Sequence, residues 1–135
     1  MASGYSGTPL AKKLSLKAGQ RAWFEDMPPH VRTEVAPEEI GLALLHAPEA
    51  PIDAAHVFVT ERQRLEEAVA RLLPMLAPAG FLWVSWPKKA SKVPTDITED
   101  VIRSVALPTG LVDGKVCAVD EIWSGLKLMI RRDRR

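Results

Sequence analysis

AAHVFVTERQRLEEAVARLLPMLAPAGFLWVSW, residues Ala54–Trp86, decides how this chain folds. Ala54–Val59 is a continuous apolar run interrupted only by His56. Runs of this kind, rather than alternating ones, are typical of strands covered on both faces, as in parallel sheets. Thr60 follows, with Gln63 placed to complete a capping box at a helix start. Leu65, Val69, Leu72, Leu73 and Leu76 then recur at helical spacing, while Glu61, Arg62, Arg64, Glu66, Glu67 and Arg71 cover the other side. Pro78-Ala79-Gly80 reads as a turn, and Phe81–Trp86 is a second continuous apolar strand. Strand, helix, strand over this length is a right-handed βαβ crossover joining parallel strands.

Working outward, Met1–Gly7 is small and polar and reads as a loose start. Thr8-Pro9 suits a helix opening, with Leu10 and Leu14 on one face and Gly19 after it. Arg21–Glu25 reads as a strand, Asp26–Pro29 as a turn, and His30–Val35 as a weak helix. Gly41–His46 is a further short apolar run. After the crossover, Asp96 or Thr98 caps a helix carrying Val101, Ile102, Val105 and Ala106, stopped at Pro108–Gly110. Lys115–Asp120 and Leu126–Arg131 form a hairpin, which makes the last strand antiparallel. The expectation is one α/β domain over 1–135 with 1–7 and 132–135 flexible. Its form is a three-layer Rossmann-like fold, a mostly parallel sheet of about six strands with an antiparallel C-terminal edge strand.

The totals narrow the function. The chain has 135 residues, 47% hydrophobic, with a formal net charge of +1, so no global field favours nucleic acid or a membrane surface. One cysteine, Cys117, excludes an internal disulfide and a multi-cysteine metal site, and no metal or cofactor is expected. The absence of a signal-like or membrane-spanning run fits a cytoplasmic protein.

Open α/β sheets bind ligands beyond the carboxyl ends of their strands. Those ends are Glu25-Asp26, His46, Thr60, Trp86-Pro87-Lys88-Lys89 and Asp120-Glu121, the last followed by Trp123. The candidate ligand-binding set is therefore Trp86, Lys88, Lys89, Thr95, Asp96, Thr98, Asp120, Glu121, Trp123 and His46. A lysine beside carboxylates at such a rim holds an anion or gives up its proton when desolvated. The plainer alternatives stand beside this. Lysines after a buried strand guard against aggregation, His46 is a loop residue, and Trp86 and Trp123 pack. His56 is buried and hydrogen-bonded, and Cys117 is an inert small hydrophobe. The turn after the first strand lacks the glycine that lets backbone approach a nucleotide cofactor, and no Walker loop, GxSxG, HExxH or CxxC is present.

Four blocks in order carry a resemblance: Tyr5–Leu14, Trp86–Lys89, Thr95–Glu99 and Gly110–Leu126. The chain resembles, from Tyr5 to Arg131, a small bacterial family of domains of unknown function, which has no established catalytic residues to carry over. The layout is also similar to a shortened methyltransferase-type Rossmann fold: Leu16–Gly19 precedes the first strand, Pro78–Gly80 leads into Phe81–Trp86, and a hairpin closes the chain. The first functional expectation is a non-enzymatic domain that binds a protein partner or a small anionic ligand at the strand-end rim. The second is a small transferase- or hydrolase-type enzyme using Lys88 or His46 as base and Asp120 as orienting acid. The third is nucleic-acid binding through Lys88, Lys89, Lys92 and Arg131–Arg135, disfavoured by the net charge.

Overall fold

A computed structural model describes residues 8–135. The start at 1–7, and with it the first three residues of the Tyr5–Leu14 block, lies outside the described residues. The chain runs α1 (Leu10–Lys13), β1 (Arg21–Glu25), α2 (Pro29–Val35), α3 (Pro37–Ile40), β2 (Ala43–Leu44), β3 (Ile52–Phe58), α4 (Arg62–Leu72), β4 (Leu76–Pro87), α5 (Glu99–Ala106), β5 (Leu111–Ala118) and β6 (Trp123–Ile130). The six strands form one sheet in the order β2-β1-β3-β4-β6-β5. The pairs β1–β2, β1–β3 and β3–β4 are parallel; β4–β6 and β5–β6 are antiparallel. The mixed α/β sheet with antiparallel pairing at its C-terminal side is as expected, with β6 seated inside β5.

Two apolar layers cover this sheet. On one face α4 and α5 bury Leu65, Val69, Leu72 and Ile102 against Ile52, Leu82, Val84 and Trp86. On the other, α1 and α2 bury Leu10, Leu14, Val31 and Val35 against Ala22, Phe58, Phe81 and Trp83. Trp83 and Trp86, an odd number of positions apart, therefore point to opposite faces. Trp83 is fully buried and its Nε1–H donates to the Leu14 carbonyl at 2.9 Å, which fixes the end of α1.

Local details depart from the sequence reading for identifiable reasons. The Thr60/Gln63 capping box does not form: α4 starts after Glu61, and no side chain of its own segment caps it. Instead Asp96 Oδ1, from the loop before α5, accepts the Arg62 N–H at 2.7 Å. The stretch before Phe81 is a bulge within β4 rather than a free turn, because the register with β3 shifts between Ile52 and Ala54. Gly80 is required there, since a Cβ would come within 2.7 Å of the Ile52 carbonyl. Strand β2 keeps only two residues of Gly41–His46. Thr98 caps α5 by accepting the Val101 N–H at 3.2 Å. Gly110 ends that segment with φ 98, a left-handed value open to glycine. The tail expected to be frayed forms a short turn, Arg132–Arg134, with the Arg135 Nε donating to the Ile130 carbonyl at 2.9 Å. Among the described residues no helix is long and apolar enough to cross a membrane.

Candidate functional site

The chain leaves β1 toward β2 at one edge, then returns across β1 to β3 on its other side. The crevice beyond the carboxyl ends of β1 and β3 is therefore the point where the winding reverses, the place where open α/β sheets take ligands. A cavity of about 310 Å³ lies there, bounded by Glu25 and Asp26 after β1, Phe58–Glu61 after β3, and Arg64, Glu67 and Arg71 of α4. Arg71 donates from both terminal nitrogens to the Glu25 carboxylate at 2.7 and 2.8 Å, and the Trp23 indole N–H adds a third bond at 3.0 Å. The Arg71 hydrogen bonds hold the Glu25 carboxyl below its ordinary value, against the opposing effect of partial burial. Asp26, Glu61, Arg64 and Glu67 make no side-chain hydrogen bond among the described residues, and both signs of charge line the crevice, with Arg64 near enough to act on Glu25 and with Asp26 and Glu67 acting on Arg71. Asp26 itself turns the chain in the left-handed region, with φ 56. Aspartate tolerates that conformation better than most residues, which explains how the turn forms without glycine.

A second cavity, of about 570 Å³, opens beyond β4 and the start of α5. Trp86, Val93, Pro94 and Ile97 give it apolar walls, and Lys89 and Lys92 stand at its lip. Glu99 also borders it, but its charge is met by Arg103 at 2.8 Å. The two cavities share a wall. Thr60 lines the first and Thr95 the second, and Thr95 Oγ1 donates to the Thr60 carbonyl at 2.6 Å. The Asp96 cap on α4 braces the same wall.

Of the residues singled out from sequence, Trp86, Lys89, Thr95 and Thr98 meet at this second cavity. Asp96 is engaged as a helix cap. Lys88 and the β5–β6 turn do share the rim, through a 2.7 Å bond from the Lys88 backbone N–H to the Ile122 carbonyl. The side chain of Asp120, however, is not turned to Lys88. Its Oδ1 accepts the Ile122 and Trp123 N–H groups at 2.8 and 2.7 Å, closing the turn, and its Oδ2 meets His30 Nε2 at 2.6 Å. The expected Lys88–Asp120 pair is corrected accordingly: a carboxylate at the mouth of a tight turn is taken by the nearest backbone donors. Trp123 packs edge-on against Phe58, with ring centroids 5.1 Å apart, and Glu121 is exposed. His46 follows β2 at the edge of the sheet, with β1 and β3 between it and β4, and it joins neither cavity.

His56 is buried on the α1/α2 face, stacked on Phe58 at 4.4 Å, with Nε2 and Ser85 Oγ 2.7 Å apart. Its Nδ1 has no partner among the described residues, and burial pushes its pKa down to about 3, so the ring is neutral. Burial pushes the Cys117 thiol up, against the pull of Lys13 and Lys115, which suits a packing role rather than a nucleophile. Among the described residues no group of His, Cys, Asp or Glu is placed to hold a metal ion.

Sequence reasoning missed Arg64, Glu67 and Arg71 as site residues. They share one face of α4 at helical spacing, a signal that was present but read as a solvated side. Only the strand order shows that this side borders the end of β1.

Solved structures of similar shape share this winding. The fold is methyltransferase-like. A SAM-dependent methyltransferase from Aquifex aeolicus superposes with a TM-score of 0.62 at 15% identity, over 90% of this chain and 87% of that one. A methyltransferase from Pyrococcus furiosus gives 0.57 at 12%, over 97% and 87%. Fibrillarin from Aeropyrum pernix, solved with natively bound S-adenosyl-L-methionine, gives 0.54 at 11%, over 93% and 70%. No family model and no curated protein matches the chain. These likenesses correct the first functional expectation. The fold is one this chain shares with proteins described as methyltransferases, which fits the transferase alternative stated second better than a non-enzymatic binding domain.

Proposed function

We propose that this chain is a small transferase of methyltransferase type, with a donor of the S-adenosylmethionine class in the β1–β3 crevice and an acceptor in the cavity beyond β4. The observation that carries this reading is the pair of adjoining cavities, divided by the Thr95–Thr60 hydrogen bond, at the carboxyl rim of a methyltransferase-like sheet. A transfer reaction needs two ligands held side by side, and orientation of this kind is a large part of catalysis.

The crevice suits the chemistry of such a donor. Its ammonium and ribose hydroxyls would be met by Asp26, Glu61 and Glu67, and its carboxylate by Arg64. Bound there, the donor supplies an activated methyl group. Glu25 and Arg71 hold the floor of the crevice rigid through their paired hydrogen bonds. Because Asp26 stands where a glycine would let backbone come close, contact with the donor runs through side chains rather than backbone amides. The acceptor would lay its apolar part on Trp86 and Ile97, with Lys89 and Lys92 at the lip. Membership of the small bacterial family and residence in a reducing cytoplasm belong to the same proposal. The lone, half-buried Cys117 fits the latter.

Isothermal titration with S-adenosylmethionine tests this. Saturable binding is expected, weakened at least tenfold by Asp26→Ala combined with Arg64→Ala while the far-ultraviolet circular dichroism stays unchanged. Heat-free titrations at millimolar donor, or equal affinity in the folded double variant, would overturn the reading.

A further inference from the structure

The polar side chains around the cavity beyond β4 are unevenly spent. Thr95 Oγ1 donates to the Thr60 carbonyl at 2.6 Å and accepts the Ile97 N–H at 3.1 Å. Thr98 Oγ1 accepts the Val101 N–H at 3.2 Å, and the Glu99 carboxylate is held by Arg103 at 2.8 Å. The groups left over are donors. Lys89 and Lys92 make no side-chain hydrogen bond and join no ion pair among the described residues, and the Trp86 indole N–H has no partner either. Trp86 is only 8% exposed. Among the described residues the one sealed side-chain atom without a partner is His56 Nδ1. The Trp86 N–H is therefore not shut in the core, and the cavity is the opening that this residue lines. The loop carrying both lysines is pinned in place: Ser91 Oγ donates to the Lys88 carbonyl at 2.7 Å and accepts the Val93 N–H at 3.3 Å.

We infer that this cavity takes a small amphiphilic anion, with its apolar body against Trp86, Val93, Pro94 and Ile97 and its carboxylate or phosphate at Lys89, Lys92 and the Trp86 N–H. In the transferase reading this molecule is the methyl acceptor; only that role rests on the reading, and the binding site does not. Three observations select the ligand. Free donors with no free side-chain acceptor are satisfied by an anion through charge-assisted hydrogen bonds, whereas a cation is repelled and a neutral molecule leaves them underused. The walls are apolar, and Val93 among them is a large hydrophobic side chain left 37% exposed. A bounded volume of about 570 Å³ is the size of a small-molecule site, so it suits a compact body rather than a polyanion drawn to surface lysines in general.

Calorimetric titration of the donor-free protein with naphthoate, naphthyl phosphate and naphthylmethanol, one apolar body under three head groups, tests the inference. Saturable binding of an anion is expected, about tenfold or more tighter than the alcohol; the tighter of the two anions tells carboxylate from phosphate. Inorganic phosphate alone, without the body, is expected to bind more weakly than either. Lys89→Ala with Lys92→Ala should abolish the preference for the anions. Val93→Asp, at an exposed position of the wall, should weaken all three. Lys12→Ala with Lys17→Ala removes as many cations from another surface and should leave binding intact. Each variant is checked for an unchanged melting temperature. No saturable heat with either anion at millimolar concentration, an alcohol bound as tightly, a preference that survives in the Lys89/Lys92 variant, or equal loss in the Lys12/Lys17 control would each overturn it. Anion binding by a protein that does not bind S-adenosylmethionine would uphold this site and remove the transferase reading; S-adenosylmethionine binding without anion preference would do the reverse.

Discussion

The two helical layers of this molecule handle charge differently. On the α4/α5 face three arginines are paired with carboxylates: Arg62 meets Glu66 at 3.1 Å, Arg71 clasps Glu25, and Arg103 meets Glu99, Asp100 and Asp113 at 2.8, 3.4 and 2.9 Å. On the α1 face, among the described residues, Lys115 and Lys127 join no ion pair and donate instead to neutral oxygens, the Lys13 carbonyl at 3.3 Å and Ser15 Oγ at 3.1 Å. Exposed pairs of this sort contribute only about 0.2–1 kcal/mol each, so the contrast is not mainly about stability. It separates cations paired with carboxylates from cations hydrogen-bonded to neutral oxygens.

The largest effect should show that this difference lies in charge and not in packing. Leu65 under α4 and Leu14 at the end of α1 are both fully buried. Leu65→Ala and Leu14→Ala are each expected to cost about 2–5 kcal/mol in urea denaturation. A Leu14→Ala cost below about 1 kcal/mol would mean that α1 is loosely held, and would break the symmetry on which the comparison rests.

A second test uses pH. His56, between the sheet and the α1/α2 layer, stays neutral in the folded state to about pH 3 but takes up a proton below its ordinary value when unfolded. Its folded pKa is therefore depressed, the unfolded chain binds more protons, and stability present above about pH 6.5 is lost as pH falls. The loss between pH 7.5 and 5 should be about 2 kcal/mol. Glu25 and Asp113, whose folded values are lowered, act only at more acid pH. Replacing the ring by His56→Gln should flatten the profile across that window; an unflattened profile would place the titration elsewhere.

The smallest effects compare the charges themselves. Glu25→Gln should destabilise by about 1 kcal/mol at pH 7 through the lost bidentate pair, a figure kept low because the site is partly exposed. The deficit should shrink as pH falls through the lowered folded value, where the wild-type carboxylate is protonated as well. Lys17→Gln should do the reverse and raise the melting temperature slightly, by relieving repulsion, an effect of a few tenths of a kcal/mol. A fall in both variants would erase the distinction between the two faces.

Much of this architecture was legible because burial leaves a pattern. The continuous runs in β3 and β4 and the 3.6-residue period of α4 can only be satisfied by a covered βαβ unit. What escaped depended on distant partners. The cap of α4 comes from Asp96, 34 positions on, so local spacing pointed to Thr60 instead. Strand β5 begins at Leu111, ahead of the expected Lys115, because a register shift between Asp113 and Val116 lets Gly114 pass through the ladder. That Trp86, Lys89, Thr95 and Thr98 line one cavity was legible because they end or begin regular elements. Arg64 and Arg71 were not, since a charged helix side looks the same whether it borders water or a crevice. The nearness of Lys17, Lys115 and Lys127 was invisible because they lie far apart in the chain.

Nuclear magnetic resonance of the ¹⁵N-labelled protein, titrated with S-adenosylmethionine, most directly tests the central claim that small ligands are taken at the winding reversal. The account predicts saturable amide shifts concentrated at Asp26, Thr60, Glu61 and Arg64, with Lys17 and Lys127 unmoved. An unchanged spectrum at millimolar donor, or shifts confined to the α1 face, would contradict it.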